Sequence, residues 1–515
     1  MGAIISGERR TTTEEIAART ARAAAGYEAL GIGAGDTVAL YLRNDFPFLE
    51  ASIGAGLIGA YPVPVNWHYT EDEARYIFTD SGAKLIVIHA DLLPPVRSAL
   101  PKDVPVLVVE TPPEIAQAYN IAPAACRVPD GMTAWSAWLS RCGAAPKKPA
   151  EAPGTIIYTS GTTGRPKGVK RKPPTEDEIR MTARIRDEQF GFGKWIARPD
   201  EMTIAVTGPM YHSAPNAYGL YATRCGANVI LEARFEAEEL LALIERHKIT
   251  HIHMVPIMFN RLLKLPDDVR KKYDTSSLKF IVHAAAPVSP PIKRAMIEWW
   301  GPIINEYYGA TETSVLTFCT SEEWLAHPGT VGKPIDGCTL EIIDAKGVPV
   351  KQGEIGEIVA RTRGIPDFTY HKDDAKRREA EKKAGLIAPG DIGYLDADGY
   401  LFLRDRSKDM LISGGVNIYP AEIESELHHM PGIHDCAVFG IPDEEFGEAV
   451  YAIIEPQPGV DLAERDVRQF LDGRLARYKI PKRIDFGRNL PREDSGKIFK
   501  RKLREPFWAD VNRNI

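Results

Sequence analysis

The sequence lacks the hallmarks of several protein classes. Its six cysteines are scattered without Cys-x-x-Cys spacing, so we expect neither a disulfide framework nor a structural zinc site. Its 64 Lys and Arg nearly balance its 70 Asp and Glu, giving a formal net charge of −6, which argues against nucleic acid as the main partner. We therefore expect small-molecule partners and a reducing, cytoplasmic location.

Long apolar runs are also missing. The most apolar stretch, residues 51–64, is too short to span a membrane and is interrupted by three glycines and two prolines. It predicts a buried helix that leads into a strand, and no transmembrane segment is expected. Charged residues at 8–10 precede any apolar segment, so no secretory signal is expected either. A homodimer is possible.

The hydrophobic pattern indicates an α/β protein. Short apolar runs at 37–41, 85–88 and 104–109 alternate with stretches of helical periodicity at 16–30, 71–78 and 236–247. At 515 residues the chain is long enough for two or more domains. We interpret residues 144–153 and 170–174 as surface connections and 370–383 as a solvated helix or loop.

The stretch 155–169, TIIYTSGTTGRPKGV, is the most informative part of the sequence. A short strand there ends in small hydroxyl and glycine residues, whose backbone N–H groups and side chains suit a phosphate-binding concavity, and Lys167 adds a positive charge. The spacing differs from a Walker A loop, since Pro166 precedes the lysine and Gly168 follows it. The predicted ATP-binding residues are Thr159, Ser160, Gly161, Thr162, Thr163, Gly164 and Lys167.

Four further clusters carry nucleotide-compatible chemistry. In residues 305–313, Tyr308 could stack on a base while Glu312 holds Mg²⁺ beside phosphate oxygens. In residues 390–394, Asp391 could accept both hydroxyls of a ribose. The other two are RDRSKD at 404–409, with SGGVN at 413–417, and PREDSGKI at 491–498.

Taken in this order, the five clusters resemble the adenylate-forming superfamily of acyl-CoA synthetases, luciferases and nonribosomal-peptide adenylation domains. The match runs from about 37 to 503, and YTSGTTGRPKG, YYGATE, GDIGYLDADGYLFLRDRSKDM and PREDSGKI each correspond to a family motif. The resemblance implies a large N-terminal domain, 1–406, of packed, mostly parallel sheets with helices and a small β-structure. A small, mobile α+β lid, 407–515, would carry the catalytic lysine.

The resemblance also implies the reaction. A carboxylate attacks the α-phosphate of ATP to give an acyl-adenylate and pyrophosphate, and a thiol then expels AMP. The implied catalytic residues are Lys497, Thr311, Glu312 and His212, with Glu312 and Thr163 at the Mg²⁺. The implied ATP and AMP contacts, besides the phosphate loop, are Ala285, Ala286, Glu306, Tyr307, Tyr308, Gly309, Asp391 and Arg406.

The remaining implied roles concern the lid and the acid. Lys408 falls at the hinge, and Ser413, Gly414 and Gly415 would meet coenzyme A. His212, Asn216 and Tyr307 would line the acyl pocket. The sequence lacks the Phe-Asp-x-Ser stretch of amino-acid-activating domains, so a hydrophobic fatty, cyclic or aryl acid is expected.

One departure from the family pattern and two alternatives accompany this interpretation. The Trp and Thr common before the ribose aspartate are replaced by residues of the segment GLIAPGD at 385–391. His251 and His253 share one face of a predicted strand, but no third ligand is evident, so they are not interpreted as metal ligands. The alternatives to a CoA ligase are an enzyme that loads a carrier protein and an ADP-forming or merely ATP-binding protein.

Overall fold

The computed structural model describes residues 2–159, 166–406, 409–413, 416–443, 445–492 and 498–509, without the side chains of Arg406 and Asn417. The α-helices of these residues are α1 Thr13–Ala29, α2 Phe46–Leu57, α3 Glu71–Asp80, α4 Pro113–Ala118, α5 Trp135–Ser140, α6 Glu176–Phe190, α7 Ser213–Cys225, α8 Ala237–His247, α9 Pro256–Leu263, α10 Asp267–Lys272, α11 Pro290–Trp300, α12 Ser321–Ala326, α13 Asp374–Ala380, α14 Pro420–His428, α15 Glu464–Leu471 and α16 Lys500–Trp508.

The strands are β1 Ala3–Ser6, β2 Arg9–Thr12, β3 Thr37–Tyr41, β4 Tyr61–Pro64, β5 Leu85–His89, β6 Val106–Val109, β7 Thr133–Ala134, β8 Ile157–Thr159, β9 Lys167–Arg171, β10 Thr203–Val206, β11 Asn228–Leu231, β12 His251–Met254, β13 Phe280–His283, β14 Ile304–Ala310, β15 Ser314–Cys319, β16 Lys333–Pro334, β17 Cys338–Ile343, β18 Gly356–Thr362, β19 Phe368–Tyr370, β20 Glu381–Lys383, β21 Leu386–Ile387, β22 Asp391–Leu395, β23 Leu401–Arg406, β24 Leu411–Ser413, β25 Val416–Ile418, β26 Ile433–Asp443, β27 Gly447–Pro456 and β28 Arg483–Phe486.

Two largely parallel sheets carry the N-terminal part of the chain. One has the order β16-β15-β14-β13-β12-β10-β11-β1-β2 and is parallel from β14 through β1, and the other has the order β4-β3-β5-β6-β7 and is parallel throughout. Strands such as Leu85–His89 are buried along their whole length, as expected where helices cover both faces of a parallel sheet.

Smaller antiparallel sheets complete the architecture. Strands β8, β9 and β19 form a three-stranded sheet, and β17, β18 and β20–β23 form a six-stranded one. After residue 409, strands β24–β28 form a separate sheet with α14–α16 close by, and its core includes Leu411, Ile423 and Val438. The predicted α/β class, with a small β-structure and a smaller C-terminal α+β part, is confirmed. The predicted boundary between 406 and 407 stays a prediction.

Local sequence signals explain the helices. Thr12 caps α1, and Glu15 returns a hydrogen bond to the backbone of Thr12, forming a capping box. The same device begins α6, between Thr175 and Glu178. Residues 51–64 form the end of α2 and the strand β4, as predicted. No helix of the described ranges is long and apolar enough to cross a membrane.

Candidate active site

The predicted phosphate loop connects two paired strands. Thr159, the last residue of β8, lies opposite Lys167, the first residue of β9. The loop residues Ser160, Gly161, Thr162, Thr163 and Gly164 lie outside the described residues, so their assigned roles stay predictions. Burial lowers the pKa of Lys167, and the neighbouring Lys376 lowers it further. Its ammonium lies 5.5 Å from the centre of the Tyr370 ring.

Strand β9 is part of the site rather than a surface connection, which corrects the interpretation of residues 170–174 at its first two positions. Arg171 pairs with Phe368 of β19 and donates to the carbonyls of Thr311 (2.7 Å), Glu312 (3.0 Å) and Pro366 (2.8 Å). Burial lowers the pKa of this guanidinium to about 10. Arg171 therefore holds the backbone of the Thr311–Glu312 turn in place.

The side chains of this turn are also held. The hydroxyl of Thr311 lies 3.3 Å from that of Ser213, the first residue of α7. The phenol of Tyr370 donates to Oε1 of Glu312 at 3.0 Å. The hydroxyl of Thr313 accepts a 3.1 Å hydrogen bond from the backbone of Ala310. The predicted catalytic pair Thr311 and Glu312 thus lies next to Lys167, the β19 tyrosine and the α7 N-terminus.

The predicted base and ribose positions are joined directly. The phenol of Tyr308 donates to Oδ2 of Asp391 at 2.7 Å, although 82 residues separate them in the chain. Asp391 begins β22 opposite Arg406 of β23, whose side chain is outside the described atoms. Gly309 follows Tyr308 where β14 meets β15, and a Cβ there would lie 1.9 Å from the carbonyl oxygen of Ser314. Only glycine fits this crossing.

The Ala285–Ala286 position lies in the turn that follows β13. Ala285 has a φ of 74°, a conformation that costs a residue with a Cβ roughly 1–3 kcal/mol. Strain of this kind concentrates at ligand-binding turns, which agrees with the predicted adenine contact. Parallel neighbours β13 and β14 end at the same edge of the sheet, so this turn and the Tyr308 segment lie close together.

Glu306 has a different environment from its predicted partners. Its carboxylate is buried and lies 2.6 Å from the ammonium of the fully buried Lys293, with His283 Nε2 at 3.5 Å. Burial raises the pKa of Glu306, whereas Lys293 lowers it. A nucleotide contact at this position would have to come from the backbone.

The residues predicted to line the acyl pocket lie on β14, on α7 and directly before α7. The hydroxyl of Tyr307 lies 3.0 Å from Nε2 of His253, and burial lowers the pKa of that histidine to about 4. His212 precedes α7 and lies against Tyr211, with ring centres 4.4 Å apart. Asn216 is buried, donating to the carbonyl of Met210 and accepting from Thr155. These contacts tie the histidine segment to Thr155, two residues before β8 begins.

The residues predicted for the lid and its hinge are only partly described. Lys497, Lys408, Gly414 and Gly415 lie outside the described residues, so their roles stay predictions. Ser413 ends β24, opposite Val416 and Gly447. Nδ1 of His251 lies 2.8 Å from the hydroxyl of Thr250 and Nε2 lies 3.2 Å from the carbonyl oxygen of Gly191. That His251 and His253 bind no metal stays a prediction.

Two family models match the chain. The model described as AMP-binding enzyme matches residues 2–366, and the model described as AMP-binding enzyme C-terminal domain matches residues 422–497. The chain belongs to the AMP-binding enzyme family. The first match covers the phosphate hairpin, the Thr311–Glu312 turn and Tyr308, whereas Asp391 lies between the two.

Relatives of this AMP-binding enzyme span nearly its whole length. The fatty acid–[acyl-carrier-protein] ligase ScoC of Streptomyces coeruleorubidus is 32% identical over 531 residues, covering 100% of this chain and 95% of the relative. The long-chain-fatty-acid–CoA ligase FadD13 of Mycobacterium tuberculosis is 29% identical, covering 98% and 94%. The solved anthranilate CoA ligase AuaEII with anthranoyl-AMP superposes with a TM-score of 0.83 at 26% identity, covering 98% and 94%.

Three residues of this AMP-binding enzyme that support the site were missed from the sequence: Arg171, Ser213 and Tyr370. Arg171 lies in a run of basic residues and prolines that is typical of exposed loops. Tyr370 lies at the edge of a charged segment, 58 residues after the Glu312 that it contacts. Neither Arg171 nor Tyr370 has a local sequence signal, because each becomes recognisable only when β9 and β19 pair.

Proposed function

We propose that this chain is an AMP-forming acid–CoA ligase that activates a hydrophobic carboxylic acid with ATP and Mg²⁺. The observation that carries the proposal is the convergence of three pairs at one edge of the large sheet. Lys167 lies beside Tyr370, Tyr370 bonds Glu312, and Tyr308 bonds Asp391. These groups suit a triphosphate, its metal and a ribose, respectively.

Glu312 has the chemistry that Mg²⁺ requires. Tyr370 occupies Oε1, and within the described part of the chain Oε2 accepts no hydrogen bond. Mg²⁺ is commonly held by one or two carboxylates together with substrate phosphates, so Glu312, with Thr163 of the phosphate loop, would hold it. When bound, the metal neutralises phosphate charge and favours departure of pyrophosphate.

In the first half-reaction, a carboxylate oxygen of the acid forms a bond to the α-phosphorus of ATP. The bond from that phosphorus to the bridging oxygen breaks, and pyrophosphate leaves with the electron pair. Two anions must meet, so the site needs fixed cations and donors. Lys167 and the backbone of the phosphate loop supply them for the β- and γ-phosphates, Thr311 for the α-phosphate, and Lys497 bridges the acid and the α-phosphate.

In the second half-reaction, the sulfur of coenzyme A attacks the carbonyl carbon of the acyl-adenylate. The bond from this carbon to the AMP oxygen breaks, AMP leaves, and the thiol proton goes to solvent. We propose that the domain after residue 406 turns about Lys408 between the two steps. Lys497 would then leave the site, and Ser413, Gly414 and Gly415 would line the path of the thiol.

The experiment measures pyrophosphate, AMP and ADP from ATP and Mg²⁺ across fatty, cyclic and aryl acids, with and without coenzyme A. We expect pyrophosphate to depend on the acid and to turn over many times only with the thiol. Lys497→Ala should abolish adenylate formation and spare thioester formation from a supplied acyl-adenylate. ADP in place of AMP, or release that is independent of acid, would contradict the proposal.

A carrier protein is the alternative thiol, and the 32% identity to an acyl-carrier-protein ligase is the observation that favours it. The same assay with a phosphopantetheinylated carrier protein in place of coenzyme A separates the two acceptors. Faster turnover with the carrier at equal thiol concentration would reassign the acceptor but leave the adenylation step intact.

A further inference from the structure

Helix α7 has one partly open face that begins at the active site. Most of its residues between Pro215 and Thr223 are buried, but a stripe at helical spacing keeps partial or full exposure. The stripe consists of Ser213, Ala214, Ala217, Tyr221 and Arg224. It begins where Ser213 meets Thr311 and ends about 17 Å away, at a helical rise of 1.5 Å per residue.

The far half of this stripe meets helix α6. The hydroxyl of Tyr221 donates to Oδ1 of Asp187 at 2.7 Å, and the ring stacks parallel to Phe192 with centres 5.9 Å apart. The guanidinium of Arg186 lies 5.6 Å from the centre of the same ring. The hydrogen bond and the ring stack therefore hold Tyr221 in place, and the guanidinium of Arg186 packs against the tyrosine ring.

Within the part of the chain that the structure describes, Arg186 and Arg224, the distal arginine pair, have no anionic partner. Within the described ranges, neither guanidinium forms a hydrogen bond or an ion pair with the protein. The nearest acid in sequence, Asp187, is turned to Tyr221 and forms no salt bridge with either arginine in those ranges. The contrast is Arg171, whose guanidinium donates to three carbonyls.

The electrostatic setting favours an anion between the two guanidiniums. Burial lowers the pKa of both arginines, and the charge of Arg224 lowers that of Arg186 further. Arg224 nevertheless keeps an accessible surface and Arg186 is partly exposed, so a ligand from solvent can reach both side chains. Two partly desolvated like charges without a counter-ion are costly, and a carboxylate that bonds both would relieve the repulsion.

We propose that the distal arginine pair binds a second carboxylate at the far end of the acid substrate. The substrates are then dicarboxylic acids with an apolar body, which lies along Ala214 and Ala217 while the reacting carboxyl meets the α-phosphate beside Thr311. The distance from Ser213 to Tyr221 along α7, on the order of 12 Å, matches a medium-length chain. This inference rests on the proposed function and adds a substrate class to it.

The test compares sebacic acid with decanoic acid and monomethyl sebacate in the pyrophosphate-release assay. A charge-assisted hydrogen bond contributes enough for kcat/KM to favour sebacic acid by ~10- to 100-fold. Arg186→Gln and Arg224→Gln should remove that preference and leave the value for decanoic acid within about twofold. Arg180→Gln is the matched control, since this arginine of α6 is exposed and pairs with Asp177 on its own helix.

A second measurement is independent of catalysis. Sebacate should raise the thermal unfolding midpoint of the native protein, and it should not do so for the Arg186→Gln/Arg224→Gln double variant. Equal kcat/KM for decanoic and sebacic acids, or equal loss for both acids in the variants, would overturn the distal site alone. Absence of pyrophosphate with every acid would instead overturn the proposed function and this inference with it.

Discussion

The hydroxyl of Tyr308 donates a 2.7 Å hydrogen bond to the carboxylate of Asp391. This contact joins the large parallel sheet to the six-stranded antiparallel sheet at the predicted nucleotide site. A base stacked on the tyrosine and a ribose bonded to the aspartate would therefore be placed relative to each other by one contact within the protein.

Removing that hydroxyl should weaken ATP binding selectively. Tyr308→Phe keeps the ring for stacking but leaves Asp391 without a charge-assisted bond worth ~1.5–3 kcal/mol. We expect the KM for ATP to rise by about tenfold with little change in the KM for the acid. Tyr394→Phe, in the same strand as Asp391, is the control, because that ring stacks on Phe402. A parallel rise in both KM values would contradict a nucleotide-specific role.

The fold was predictable where the signals are local. The periodicity of residues 16–30 predicts α1, observed at Thr13–Ala29, and that of 236–247 predicts α8, observed at Ala237–His247. The stretch 171–202 contains α6, whose capping box at Thr175 and Glu178 is a readable helix signal. The extension of β9 to Arg171 was missed because its last two residues pair only with β19, which lies nearly 200 residues away.

The candidate site was predictable as a set of residue types but not as a set of contacts. The motifs identify Glu312, Tyr308 and Asp391, whereas the partner that orients Glu312 comes from a segment interpreted as solvated. For Glu306 the motif predicts a ligand contact that its side chain does not make, because the carboxylate is paired with Lys293 in the core. A side chain's face depends on strand neighbours that the sequence does not specify.

Arg171 supports a prediction about catalytic positioning. Arg171→Lys replaces a planar fork that reaches three carbonyls with one nitrogen, so the Thr311–Glu312 turn should loosen. We expect acid-dependent pyrophosphate exchange to slow by ~10- to 100-fold, mainly in kcat, because small misplacements of reacting groups are costly. Lys172→Gln, one residue further along and exposed, should leave the rate unchanged.

The buried pair of Lys293 and Glu306 supports a prediction about stability. Lys293→Met leaves the buried carboxylate without its partner, which should lower the free energy of unfolding by about 3–5 kcal/mol in urea titrations. The double variant Lys293→Met/Glu306→Leu should regain most of this loss. If the double variant is as unstable as the single one, the loss comes from packing around Trp324 rather than from the orphaned charge.

The same variant should respond to pH in a defined direction. Burial raises the pKa of Glu306 in the folded state, so the folded chain binds a proton there more readily than the unfolded chain. Protonation neutralises the orphaned carboxylate. The stability deficit of Lys293→Met should therefore shrink as the pH is lowered. A deficit that does not change with pH would exclude this ionisation as its cause.

His253 should make the native protein sensitive to acid. Burial lowers its pKa in the folded state from 6.5 to about 4, so between these values only the unfolded chain takes up the proton. The stability that the neutral imidazole provides is complete above ~6.5 and is lost progressively as the pH falls to ~4, by up to ~3 kcal/mol.

His253→Gln removes this titration but keeps a polar partner for Tyr307. The cost of the substitution, measured by urea unfolding, should shrink as the pH is lowered over this window, whereas His429→Gln, an exposed histidine of the C-terminal part, should show no such trend. A cost for His253→Gln that stays constant as the pH is lowered over this window would mean that the pKa of His253 is the same in the folded and unfolded chains, which would contradict the shift caused by burial.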